Sequence, residues 1–444
     1  MQVIEKNTQL EELKSFNNEC YAIPIFTDSK KHTLNNSLSL LYLECEGSEF
    51  MLCFDHSESL SISLDCLNDL NFKKIYVPNK NNLDLDNMID ISMLYYLTTN
   101  KVLELDFESD THTYFNRKYY RFNNLNKLIP IFKHLENCRK MVDKMKRVVD
   151  VCDETDVFKV YNNDVLSNIK YIQSSGLKVD KTKIPIEYQR HIDTGDFVYT
   201  EYNPYTSTGR PSNKYGGINF GALNKSDGSR EPFISRFDNG ILVEMDYDAY
   251  HLRLIADIIG YKFPNGSVHE YLGGHYGVDY EESKKLSFKY LYGGIPHNIS
   301  SSIPFFNKVS EYIKDKWYEY NSTFSVKSDI YNRDIRKKNL ADMNPNKLFN
   351  YLIQLNETEY NMKMLSELTT IVDGYKSKLI LYQYDSFLFD FCLEDGKDFL
   401  QTMRNTIEQN GKFPVKVSKG INYHEMKEIV EKTNVDRKST RLNS

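Results

Sequence analysis

One segment constrains this chain more than any other: Leu379-Ile-Leu-Tyr-Gln-Tyr-Asp-Ser-Phe-Leu-Phe-Asp-Phe391. It reads as strand, turn, strand, and both strands are too apolar to be left in water. Such a hairpin needs flanking strands and covering helices. Asp385 falls in its turn, where a lone aspartate is ordinarily turn chemistry. A second segment changes that reading. In Gly240–Gly260 an alternating strand runs straight into an apolar-periodic helix and delivers Asp246 at the junction. Taken alone, Asp246 reads as a helix N-cap. Two carboxylates ending adjacent buried strands can instead hold two divalent cations roughly 3.5–4 Å apart, the arrangement for in-line phosphoryl transfer.

The rest of the chain is long enough to surround such a sheet. Its 444 residues allow two or three domains, and 40% hydrophobic with 27% charged residues is an ordinary globular composition. Strands are expected at Tyr21–Phe26, Ser39–Leu43 and Glu49–Phe54, and helical spacing at Asn87–Thr98, Leu128–Val151 and Val157–Ser175. Tyr202–Lys225 is turn-rich, and helices dominate from Ser267 to Glu367. Seven cysteines with no CxxC pair favour a reduced compartment over a disulfide framework or zinc site. No apolar run approaches membrane length, and the start lacks the features of a signal peptide, so a cytoplasmic location is expected. A net charge of −6 advertises no nucleic-acid partner, though phosphate binding needs only a local basic groove.

Two further segments bear on chemistry. In Glu281–Gly294, Lys284, Phe288 and Tyr292 fall on one helix face at i, i+4 and i+8. A cation followed by two aromatics suits a nucleotide; an amphipathic core helix has the same pattern. In Thr206-Ser-Thr-Gly-Arg-Pro-Ser-Asn213, backbone, hydroxyls and a guanidinium could line a phosphodiester strand.

In this order, the segments resemble the family A DNA polymerases, the bacterial polymerase I and phage replicative type. Thr206–Ser212 resembles that family's T-x-T-G-R-L-S, and Arg230-Glu-Pro-Phe-Ile234 its R-E-A-F-[IV]. Asp246–Ala256 is similar to motif A at Asp246, Tyr247, Leu252, Arg253 and Ala256, and Val268-His269 resembles D-I-H. Lys284–Gly293 follows the fingers helix K-x-x-x-F-x-x-x-Y-G, and Asn350–Gln354 follows N-x-x-I-Q. Tyr384-Asp385-Ser386 stands where motif C has H-D-E, and Gly420-Ile-Asn-Tyr where the family closes with G-x-N-W. The likeness spans Tyr202 to Glu428.

The resemblance implies an α+β, multidomain, right-hand polymerase: an antiparallel palm sheet, helical fingers, a reduced thumb, and an N-terminal RNase H-like relic of a 3′–5′ exonuclease. The implied boundaries are 1–125 for the exonuclease-like domain, 126–200 for a helical linker and reduced thumb, 201–265 for the first part of the palm, 266–345 for the fingers, and 346–436 for the second part of the palm. Arg437–Ser444 reads as a non-native tail. Asp246 and Asp385 would be catalytic and hold two Mg²⁺, or Mn²⁺, with the Tyr247 carbonyl assisting. His251, His269, Lys284, Phe288 and Tyr292 would bind the dNTP. Thr206, Arg210, Arg230, Asn350, Gln354 and Tyr384 would contact primer–template DNA, in part through minor-groove acceptors that every base pair shares. A monomer engaged in phage-encoded replication in the host cytoplasm is expected. The short thumb, only about 25 residues between Asp180 and Thr206, leaves room for a processivity or single-strand-binding factor.

The departures also matter. His251 replaces the motif A Glu that blocks a ribose 2′-OH, and Tyr280 falls where a fingers Arg is expected, with Lys285 a substitute cation. Ser386 replaces the motif C Glu. Asp28 has no acidic partner two residues on, so the nuclease metal motif is lost, and Asp84 and Asp86 are the alternative ligands. A single-subunit RNA polymerase, a catalytically silent DNA-binding protein and a nuclease acting through residues 1–110 are the competing readings.

Overall fold

The computed structural model describes residues 1–28, 32–80, 83–105, 125–213, 218–409 and 411–429; the tail from Arg437 lies outside the described residues. The chain divides into two units, each assembled from three separate segments.

The first unit comprises Met1–Ser174, Glu201–Gly217 and Lys316–Asn356. Its six-stranded sheet runs in the order Gln2–Ile4, Ser48–Cys53, Leu38–Cys45, Glu19–Phe26, Lys74–Val77, Met88–Asp90. The middle three strands form an antiparallel meander, and the outer pairings are parallel. Leu38–Cys45 is buried along almost its whole length, as the apolar run Leu40–Leu43 at its middle requires. Helix Ile131–Val151 buries Ile131, His134, Cys138, Val142, Met145 and Val148, the single stripe expected of an amphipathic helix. The segment expected to be helical from Asn87 is divided. Met88–Asp90 joins the sheet, and helix Ile91–Thr99 starts where the Asp90 carboxylate accepts the Met93 N–H at 2.8 Å. A π-helical turn, Tyr161–Val165, likewise interrupts the stretch read as one helix from Val157.

In the same unit the Thr206–Arg210 turn is fastened from below. The Tyr96 hydroxyl donates to the Thr206 carbonyl at 2.7 Å, and buried Arg333 donates to the Tyr96 oxygen at 3.3 Å and to Asn100 Oδ1 at 3.1 Å. Gly209 has φ +72°, and a Cβ there would lie 3.3 Å from the Tyr96 hydroxyl, so the turn calls for glycine.

The second unit comprises Ser175–Thr200, Ile218–Asp315 and Glu357–Ser444. Its antiparallel sheet runs Lys378–Gln383, Ser386–Phe391, Ile241–Tyr247, Val415–Gly420, Lys427–Glu428, with Ile241–Tyr247 at the centre. The hairpin expected from Leu379–Phe391 is present, and every residue of Ser386–Phe391 is buried. A core that includes Leu177, Val179, Phe220, Phe233, Leu242, Ile380 and Leu388 covers the sheet. The two oxygens of wholly buried Asp390 accept from Ser235 Oγ at 2.6 Å, the Arg236 N–H at 3.0 Å and Arg236 Nε at 2.8 Å. Gly420 admits no side chain, since a Cβ would lie 2.7 Å from the Asn422 and Glu425 carbonyl oxygens. Helices Tyr250–Ile258, Val268–Tyr276 and Tyr280–Gly293 follow the central strand. Among the described residues no helix is long and apolar enough to cross a membrane, and all seven cysteines are free and buried.

Candidate active site

Asp246 stands near the end of the central strand, opposite Ser386 on one neighbour and Lys416 on the other. Residues directly opposite in antiparallel pairs share a face, so the three side chains form one row across the sheet. Asp246 is a strand residue, which excludes the N-cap reading that it has when taken alone. The helix begins at Tyr250, its cap position is Ala249 at φ +51°, and no side chain caps it. Asp385 lies in the two-residue turn between paired Gln383 and Ser386, after Tyr384 at φ +55°. The Tyr247 N–H donates to the Asp385 carbonyl at 3.0 Å, which pins this turn to the central strand beside Asp246.

Charge confirms the crowding. Burial, then the Asp385 charge, then that of Glu244 push the Asp246 carboxyl up to about 7, against the pull of Lys225 and Lys416. Glu244 shares the Asp246 face two residues earlier; it is buried and receives the Tyr423 hydroxyl at 3.4 Å. The Tyr247 ring stacks on Tyr250 at 4.2 Å and its hydroxyl donates to the Ile407 carbonyl, so its side chain belongs to the core.

Asn361, absent from the sequence-derived set, ties these parts together. Wholly buried, it donates to the Tyr384 carbonyl at 2.6 Å and to the Tyr382 hydroxyl at 3.1 Å, and accepts from the Tyr250 hydroxyl at 2.6 Å. One side chain thus fixes both the Asp385 turn and the helix that follows Asp246. Tyr384 itself is partly exposed.

Helix Tyr280–Gly293 is capped by the Asp279 carboxylate and carries the Lys284, Phe288, Tyr292 stripe. The Phe288 and Tyr292 rings are parallel within 2° at 6.0 Å. His269 lies 6.1 Å from the Phe288 ring and 5.6 Å from that of Tyr280. Burial holds the His269 imidazole below its usual range; Asp248 opposes this, while Lys284, Lys416 and Arg253 reinforce it. Its Nδ1 is buried without a hydrogen-bond partner. Cations thus converge on an unsatisfied ring nitrogen. Lys416, 3.3 Å from Asp248, also feels the Tyr280 hydroxyl, whereas Lys285 pairs with Glu282 on its own helix and is mostly exposed.

His251 is the second residue of helix Tyr250–Ile258, which follows Asp246. Its Nε2 is 2.9 Å from Glu357 Oε2, and its Nδ1 is hydrogen-bonded to the Tyr292 hydroxyl. Arg230 is buried, with its guanidinium over the Tyr423 ring at 4.3 Å and Nε donating to the Leu223 carbonyl.

No family description matches the chain, and no curated protein matches it in sequence. Among solved structures, it is similar to the POL domain of Pol1 from M. smegmatis, in complex with DNA primer-template and dNTP. The TM-score is 0.67 over 96% of this chain and 100% of that one, at 12% identity. The fold is polymerase-like. The second unit contains Asp246, Tyr247, His251, His269, Lys284, Phe288, Tyr292, Tyr384 and Asp385, and also Arg230. Thr206 and Arg210, joined by a Thr206 Oγ1 bond to the Arg210 carbonyl, belong to the first unit, as do Asn350 and Gln354 on helix Pro345–Asp373. Sequence reasoning missed Asn361, Glu357 and Lys416. Only Lys416 left a local signal, a cation inside an alternating strand. In the first unit Asp84 pairs with Lys170 at the surface.

Proposed function

We propose that the protein is a template-directed DNA polymerase that adds dNTPs to a primer 3′-OH. The observation carrying this reading is the pair Asp246, near the end of the central strand, and Asp385, in the hairpin turn that the Tyr247 N–H ties to that strand, within a polymerase-like fold. The donor set suits hard divalent cations: carboxylate oxygens, with the Asp246 carboxyl raised to about 7 by burial and then by the Asp385 and Glu244 charges. Asp246, Asp385 and the Tyr247 carbonyl are the proposed ligands of two Mg²⁺, with Mn²⁺ an alternative. Bound ions supply Lewis acidity at the attacking hydroxyl and the leaving pyrophosphate oxygen.

The chain's own residues do the positioning. Lys284 and Lys416 neutralise the triphosphate, and the His269 ring nitrogen orients it by hydrogen bonding. The parallel Phe288 and Tyr292 rings offer faces to the sugar and base. Thr206, Arg210, Arg230, Asn350, Gln354 and Tyr384 are the proposed contacts to primer–template. The test is primer extension with Mg²⁺, supplying dNTPs or rNTPs, for the wild type and Asp385→Asn. Extension by the wild type with dNTPs, abolished in Asp385→Asn, supports the proposal. Binding of primer–template without extension of either nucleotide sinks it in favour of a silent binder, and a preference for rNTPs favours an RNA polymerase.

Lys416, opposite Asp246 on the neighbouring strand and 3.3 Å from Asp248, is proposed for the role expected of Lys285. Lys416→Ala raises the KM for dNTP roughly tenfold or more, the ~1.5–3 kcal/mol of a hydrogen bond to a charged group. Lys285→Ala leaves it within about twofold, as for an exposed ion pair. Equal effects in steady-state extension would refute the assignment.

A further inference from the structure

Glu357 has no exposed surface, and its carboxyl oxygen lies 2.9 Å from His251 Nε2. Burying a carboxyl is costly unless it is hydrogen-bonded, so the position asks for a reason. Its partner gives one. With Glu357 Oε2 as acceptor, His251 Nε2 carries the proton, which leaves Nδ1 facing the Tyr292 hydroxyl to which it is hydrogen-bonded. Tyr292, His251 and Glu357 thus form a chain of hydrogen bonds linking three helices, and the two rings stand nearly perpendicular at 83°.

The place of this chain along the nucleotide follows from the stripe on helix Tyr280–Gly293. Lys284 and His269 mark the phosphate end, and Tyr292 lies two turns further along the same face. Asp246 marks the reacting phosphate, and His251 lies on the helix that follows it. The His251 ring and Tyr292 hydroxyl therefore border the sugar.

We propose that Glu357 is a positioning residue for sugar selection: it locks the His251 tautomer and ring against Tyr292, so that the two close the space a ribose 2′-OH would occupy. This rests on the polymerase reading. A ribose 2′-OH entering the space that the bonded pair closes must displace the His251 ring or break its bond to Tyr292. Glu357 itself touches no substrate; it acts through His251.

The experiment measures kcat/KM for dNTP and for rNTP insertion opposite one template base, for the wild type, Glu357→Leu, Glu357→Gln, His251→Leu and the double variant His251→Leu/Glu357→Leu. Glu357→Leu lowers the dNTP-to-rNTP ratio at least tenfold, chiefly through a lower KM for rNTP, with kcat for dNTP within threefold of the wild type. Glu357→Gln, which keeps the shape but offers an uncharged acceptor, lowers it about threefold and serves where the Leu variant does not fold. In the His251→Leu background, Glu357→Leu changes the ratio less than twofold. A ratio unmoved in both Glu357 variants, or an equal fall with and without His251, overturns the proposal while leaving the polymerase reading intact. A wild type that extends no primer overturns that reading instead.

Discussion

Asp246→Asn lowers primer extension by roughly 10³-fold or more while primer–template affinity changes little. The substitution preserves side-chain shape and leaves the strand pairing to Ser386 and Lys416 untouched, so the sheet stays formed. What it removes is one of the formal negative charges gathered there, beside Asp385 and Glu244. In the wild type, the charges of Asp385 and Glu244 disfavour ionisation of Asp246, and a cation bound between the two aspartates turns that repulsion into attraction. Asparagine has no such charge to contribute. Single-turnover extension from a preformed primer–template complex, with binding measured separately, checks this. A rate within tenfold of the wild type, at unchanged affinity, would mean that Asp246 is not a ligand.

Asp390→Ala lowers stability by about 3–5 kcal/mol, the range for removing one partner of a buried ion pair. Asp390 has no exposed surface and receives three hydrogen bonds from Ser235 and Arg236. Arg236 in turn donates to the Ser175 and Gly176 carbonyls at 2.8 and 2.6 Å, which ties the segment entering this unit to the sheet. Alanine leaves the guanidinium in a low-dielectric surround without its counter-charge. Asp390→Asn, which keeps one acceptor, falls between. Urea denaturation at neutral pH reads the loss; a change below about 1 kcal/mol would show that solvent or a new partner reaches Arg236.

The hairpin around Asp385 was legible because unbroken apolar runs of strand length leave few alternatives. The Lys284 stripe was legible because helical period places side chains without knowledge of the fold. The N-cap reading of Asp246 failed for a local reason: the strand continues through Tyr247, and Ala249 takes the left-handed conformation that starts the helix, which nothing in Asp248-Ala249 announces. The pair Ser325–Lys327 and Asp334–Arg336 is too short for its alternation to stand out. Glu357 and Asn361 were invisible for another reason. Their partners His251 and Tyr250 lie 106 and 111 residues away in sequence, and an isolated polar residue in a long helix looks the same whether it faces solvent or a buried histidine. What distant segments do to one another is settled by topology, which periodicity does not encode.

The order of strands in the second sheet has a consequence for how the protein is made. The six strands of the first sheet all precede Ile91, so they can pair soon after they leave the ribosome. The central strand Ile241–Tyr247 has no such neighbour. Both of its partners, Ser386–Phe391 and Val415–Gly420, are synthesised only after the intervening helices. Until then an apolar strand with two open edges waits in the nascent chain, the condition in which strands find wrong partners. Slower translation before residue 420 prolongs that exposure, whereas chaperone binding or expression at low temperature protects the unpaired strand.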